Sequence, residues 1–280
     1  MKNFNRLLTI ELYKIKNHKL SRVLFFIYFL LLSAIAFMAA IQVKVGPIKI
    51  NLAEQGIFNF PYIWHFNTWI ADFLTFFLAI LVVSTVTNEF TYRTLKQNLI
   101  DGLTKKEFIL SKFYFMVVLA LAATSFVFVL SLILGFIYSD YTSTGIIFRD
   151  FYFLLAFFLK LLGIFSFIMF LGFLLKRSAL AIGFFFVWMI AESIAYALMR
   201  WQFFGKNLAN KIIAFFPYAA MRQLLPEPIT RLSAAKNIGN QLGENMTKFN
   251  GIPFVNFVIV GVWISIFLFL SYKIIQKRDL

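Results

Sequence analysis

Asp72, Lys160 and Glu192 each stand inside a long apolar run, and any chemistry within those runs would have to use them. A charged side chain at mid-bilayer depth costs roughly 2.5–3.5 kcal/mol on insertion scales, so each of the three needs a partner. Lys160 lies sixteen residues before Lys176, and Glu192 lies sixteen after it. A helical hairpin folded at Lys176 would put both side chains at one depth, about 24 Å from the turn at helical rise. Asp72 likewise lies sixteen residues before Asn88, at the inner end of its own run. Two chemistries fit this spacing. The three groups could form a buried cluster lining a pathway or a subunit contact. Alternatively, Lys160 and Glu192 form an ion pair that locks two spans together, with Asp72 near the outer interface.

Other reactive constellations are missing. The chain has no cysteine, which removes disulfides, thiol chemistry and Cys-based zinc sites. Its two histidines, His18 and His65, fall on opposite sides of the membrane in the layout below and leave little for a metal centre. His65 reads as an interfacial residue. Gly205-Lys206 lacks both the upstream glycine and the following Ser/Thr of a P-loop, so the chain should not bind ATP that way. There is no HExxH pair and no GxSxG elbow. No catalytic residue, metal ligand or resident cofactor is assigned, and the chain reads as non-catalytic.

The elements that must position the three charges follow from composition. The 280 residues are 61% hydrophobic, 20% aromatic and only 14% charged, whereas soluble domains are about a quarter charged. Apolar runs long enough to cross a bilayer predict an all-α membrane protein with six transmembrane helices at about 21–43, 68–86, 113–138, 151–175, 179–199 and 254–272. Residues 1–20 read as an amphipathic interfacial helix, with Phe4, Leu7, Leu8, Leu12 and Ile15 as its apolar stripe and Glu11 as an interruption. Residues 200–253 read as a long outer loop. Its apolar pieces are too short to cross and are broken at Pro217, Pro226 and Pro228, which predicts short interfacial or re-entrant helices before the last span.

The net charge of +15 sits in the gaps between runs, which points to lipid headgroups and not to nucleic acid. With the N-terminus inside, the inner segments hold sixteen Lys/Arg, counting Arg22 at the inner end of the first run, against three in the two short outer loops. The long outer loop holds seven, but long loops translocate largely regardless of charge. Both termini are therefore expected to be cytoplasmic, in a multi-pass protein of the cell's inner (cytoplasmic) membrane.

The longest polar inner interruption is the loop 87–112, TNEFTYRTLKQNLIDGLTKKEFILSK. Asp101-Gly102 reads as a turn, and Thr104-Lys105-Lys106-Glu107 fits a capping box that starts the next helix. Three features carry a resemblance: the opening Glu11-Leu12-Tyr13-Lys14-Ile15-Lys16, the Glu89…Arg93-Thr94-Leu95-Lys96 loop followed by Thr104–Lys112, and the terminal Lys277-Arg278-Asp279-Leu280. In order and spacing, across essentially the whole chain, they resemble the small six-span permease subunits of type-2 ATP-binding-cassette (ABC) exporters.

The resemblance implies a coupling helix over Phe90–Ile100, seated in a cleft of a separate ABC ATPase subunit. Glu89, Arg93, Leu95, Lys96 and Lys105 would be its coupling residues, with ATP and Mg held on the partner subunit. It also implies a second permease chain, as homodimer or heterodimer, with spans one and five meeting across that interface. Two other functions compete. One is a secondary, ion-coupled transporter using Asp72, Lys160 and Glu192. The other is a membrane assembly factor that transports nothing. The substrate is not legible.

Overall fold

The computed structural model describes residues 2–40, 43–45, 48–50, 56–141, 143–203, 205–231 and 251–277. Arg278–Leu280 of the terminal motif, and residue 204 and residues 232–250 of the long outer loop, lie outside the described residues. The architecture is all-α, with one two-stranded antiparallel hairpin of β1 (Val43–Val45) and β2 (Ile48–Ile50). In hydrocarbon every backbone amide and carbonyl must find its partner inside the protein, which is why long apolar runs become helices.

α1 (Lys2–Asn17) and α2 (Lys19–Ala40) are separated at His18, whose ring nitrogen Nδ1 accepts from the Ser21 amide at 3.3 Å at the start of α2. The second crossing is bent. It consists of α3 (Tyr62–Phe73) and α4 (Thr75–Thr91), inclined at 50° to each other, and it begins earlier than the expected residue 68. There is no proline or glycine at the bend. Instead the Leu74 amide bonds the Ala71 carbonyl three residues back, a tighter turn than the α-helical one. α5 (Thr94–Ile100) is a short helix, and α6 (Lys105–Tyr138) is the longest element. α6 begins at the expected capping box: the Thr104 hydroxyl accepts from the Glu107 amide, and the Glu107 carboxylate accepts from the Thr104 amide.

α7 (Thr144–Ile147) is a single turn. α8 (Tyr152–Leu175) is the centre of the bundle and packs against α3, α4, α6, α9 (Ser178–Leu198) and α12 (Phe254–Gln276). Two glycines allow neighbours to approach it closely. A Cβ at Gly172 would stand 3.1 Å from Val86 of α4, and one at Gly163 would stand 3.1 Å from Met221. Met221 belongs to α11 (Pro217–Gln223), which follows α9 by way of a π-helical turn and α10 (Gly205–Ile213). These are the short helices expected before the last span. Among the described residues, five single helices are long and apolar enough to cross a membrane, or six crossings if the bent α3–α4 pair counts as one. α9 keeps Leu180, Phe184, Val187, Ile190 and Ile194 on an exposed apolar face, as a lipid-facing or partner-facing helix would.

Candidate functional site

A buried charge cluster joins α1, α4, α5 and α6 at the end of the bundle where the loop 87–112 lies. Its centre is Lys112, at the base of α6 and 1% exposed. The ammonium uses all three of its donors: to Glu11 Oε2 at 2.7 Å, to Glu89 Oε1 at 2.7 Å and to the Thr85 carbonyl at 3.1 Å. Lys14 Nζ also donates to Glu89 Oε1 at 2.7 Å, and it stands 3.6 Å from Glu11. The other Glu89 oxygen, Oε2, accepts from the Thr94 hydroxyl at 2.5 Å and from Asn98 Nδ2 at 3.1 Å. Two ammoniums face two carboxylates, so the cluster is neutral, and its ligands come from four helices.

Glu89 lies beyond the apolar stretch of α4. Burial pushes its carboxyl up, but Lys112 and then Lys14 more than offset that and hold it down at about 2. Burial pushes the Lys112 ammonium the other way, and Glu11 and Glu89 together raise it above its ordinary value.

Sequence reading underestimated α1. Leu7, Glu11, Lys14 and His18 form the face turned toward the protein, with Glu11 only 1% exposed, while Leu12 points outward. Glu11 is therefore the centre of a protein-facing stripe, not the interruption of an apolar one. The available signal was the i, i+3 pair Glu11–Lys14 in a helix followed by an unexplained Lys112 at the edge of an apolar run.

α5 is fixed from beneath by this cluster and by Leu95, which is 2% exposed. Its opposite face carries Lys96 and Ile100, and Tyr92 and Arg93 stand just before it, all four exposed. The expected helix over Phe90–Ile100 is thus two pieces. Phe90 belongs to the end of α4, and Arg93 takes a left-handed conformation (φ 57°) at the break. That conformation is costly for a side chain bearing a Cβ, by about 1–3 kcal/mol where it is imposed. Of the five residues expected on a partner-facing surface, only Arg93 and Lys96 are on this exposed side. Glu89 and Leu95 hold it from within. Lys105 lies at the start of α6 and donates to the Gln276 carbonyl at 3.1 Å, tying α6 to the last turn of α12.

The three intramembrane charges are arranged differently from the hairpin pairing. Lys160 Nζ donates to Asp72 Oδ2 at 2.7 Å, so α8 is pinned to the end of α3 just before the bend. Glu192 does not pair with Lys160. Its carboxylate accepts from the Tyr218 amide at 3.0 Å, the Ala219 amide at 2.7 Å and Trp188 Nε1 at 2.5 Å. The first-turn amides of α11 have no partners within their own helix, and a carboxylate there meets both those donors and the positive end of the helix dipole. Equal depth along a hairpin could not reveal this, because the competing donors are backbone groups 26 and 27 residues away.

A second network fixes the opposite end of the bundle. His65 is fully buried within the protein and stacks on Phe153 with ring centroids 3.9 Å apart. Arg231 Nη1 lies 3.1 Å from His65 Nδ1. Guanidinium only donates, so Nδ1 accepts and Nε2–H donates to the Pro226 carbonyl at 2.8 Å. Arg231 also pairs with Asp150. Among the described residues no group of three or more His, Cys, Asp or Glu side chains could hold a metal ion.

No curated protein matches the chain. Residues 11–280 match the family described as "ABC-2 family transporter protein", a range that takes in the buried cluster, α5 and every membrane-crossing helix and leaves out only the start of α1. With the multi-pass helical bundle, that match identifies the chain as a member of the ABC-2 transporter family, the membrane-spanning permease component of an ABC transporter.

Proposed function

We propose that this permease is driven by a separate ATPase subunit seated on the exposed face of α5, and that it works as an exporter in the cytoplasmic membrane with both termini inside. The observation that carries the reading is the construction of α5. A seven-residue helix is too short to be stable alone in water. Here it is held from within by Leu95, Thr94 and Asn98, while Tyr92, Arg93, Lys96 and Ile100 face outward. Such a helix moves with the ends of α4 and α6, so force applied to its outer face reaches two spans. Arg93 and Lys96 suit acidic groups on the partner, and Tyr92 and Ile100 supply the apolar contact.

ATP and Mg would belong to that partner. A second permease chain, identical or similar, would complete the pathway, and the exposed apolar faces of α2 and α9 are consistent with its docking. The ion-coupled alternative drew on Asp72, Lys160 and Glu192 as one relay. Glu192 is instead committed to α11, and no hydrogen bond joins it to Asp72 or Lys160 among the described residues.

Co-purification tests the proposal. Tagged permease in mild detergent should carry a Walker-motif ATPase with it, and Arg93→Glu combined with Lys96→Glu should release that ATPase at unchanged permease yield. Retention of the ATPase by the double variant would remove α5 as its seat.

A further inference from the structure

The Asp72–Lys160 pair lies in the wall of a cavity of about 370 Å³ between the α3–α4 bend, α8, α9 and α11. That volume is within the roughly 300–1,000 Å³ of small-molecule sites. Its inner wall is Ala79, Ile164, Ile168 and Phe185, and its rim includes the exposed rings of Phe73, Phe76 and Phe186. Phe76 and Phe186 touch across α4 and α9, with centroids 5.5 Å apart. The rim therefore opens on the apolar exterior of the bundle.

Two polar groups in this wall are not used up by the fold. Lys160 bonds Asp72 through Oδ2 only, and Oδ1 has no hydrogen bond among the described residues. The Asp72 side chain is 24% exposed while that of Lys160 is 3% exposed, so the member of the pair offered to a ligand is the acceptor. Thr75, one turn on and 4% exposed, has a buried hydroxyl with no hydrogen-bond partner among the described residues. A buried hydroxyl without a partner is destabilising, and a bound donor–acceptor group would restore its hydrogen bond.

From these observations we infer that the cavity is a binding site for an amphiphile, entered from the bilayer side. Its apolar body lies against the Phe and Ile wall, and its neutral hydroxyl or amide head donates to Asp72 Oδ1 and pairs with Thr75. A cationic head is disfavoured because Lys160 already neutralises the carboxylate and would repel a second cation at this depth. The same head chemistry exists on a bilayer lipid and on a transported molecule. The site needs no nucleotide, so it stands or falls separately from the seat of the ATPase.

The test is photolabelling of the full-length chain in phosphatidylcholine nanodiscs with a diazirine-bearing twelve-carbon primary alcohol. Adducts should concentrate on Phe76, Ile182 and Met189. Dodecan-1-ol should lower them at least fivefold, while 1-methoxydodecane, which cannot donate, should leave them nearly unchanged. Asp72→Leu with Lys160→Met removes the pair and its acceptor without burying a lone charge and should abolish selective labelling. Thr75→Val, which perturbs the fold least, should weaken it two- to threefold. Replacing the discs' lipid with phosphatidylglycerol separates the sources: labelling that falls without competitor names the lipid head as occupant, and labelling that persists names a molecule from elsewhere. Equal labelling of lipid-facing Leu121 and Val129, equal competition by the ether, or unchanged labelling in both variants would overturn the site.

Discussion

Replacing Lys112 with methionine removes one ammonium and its three hydrogen bonds from the base of α6. It leaves Glu11 and Glu89, each no more than 2% exposed, facing each other with only Lys14 between them. Breaking a buried pair by removing one partner costs about 3–5 kcal/mol, because the abandoned charge stays out of water. At 1.4 kcal/mol per factor of ten, that is a loss of a hundredfold or more in the equilibrium holding α1 and α5 to the bundle. Adding Glu11→Gln to Lys112→Met restores neutrality, since Lys14 and Glu89 remain a pair at 2.7 Å. The double variant should therefore be more stable than Lys112→Met alone, by about 1–3 kcal/mol of coupling. SDS-driven unfolding in mixed micelles of the permease, Lys112→Met, Glu11→Gln and the double variant gives the four free energies needed for the cycle. If Lys112→Met costs less than about 1 kcal/mol, or if the two changes simply add, the cluster does not hold these helices and the reasoning is wrong.

Glu192→Gln keeps the shape of the cap on α11 but removes the charge that two amides and Trp188 share. The expected cost is about 1–2 kcal/mol in the same unfolding assay, with faster amide exchange at Tyr218 and Ala219. Gly163→Leu drives a side chain into Met221, which already stands 3.1 Å from a single added Cβ. That overpacking should cost about 1–3 kcal/mol and raise proteolysis between α9 and α12. Arg93→Gly removes the left-handed strain and the charge together, so the permease should be as stable as before while ATPase binding weakens. Glu89 is held at about 2 against an ordinary 4.5. Its stabilisation is thus complete above pH 4.5 and disappears as pH falls toward 2, and Glu89→Gln should flatten the acid limb of the unfolding profile.

The helical bundle was legible because hydrophobic run length reports directly on membrane crossing, and the Thr104 cap because its signature is local. The bend at Leu74 was hidden, since neither proline nor glycine marks it. The partners of buried charges were the least legible part. Each of the three charges within apolar runs was singled out as needing a partner, yet Lys160 pairs with Asp72 across 88 residues and Glu192 with backbone amides. Glu11 failed for a related reason: an acid on an otherwise basic amphipathic helix looks like an exception until Lys112, 101 residues later, is placed beside it. Spacing within one helix or hairpin predicts depth and face. It does not predict which neighbouring helix supplies the counter-charge.

Site-specific photo-crosslinking from α5 tests the central claim most directly. With a benzoylphenylalanine at Ile100 on the exposed face, irradiation of membranes should give an adduct of permease with the ATPase subunit, and the same probe at lipid-facing Phe269 of α12 should give none. An ATPase that co-purifies with the permease but crosslinks equally from both positions, or from neither, would contradict the account.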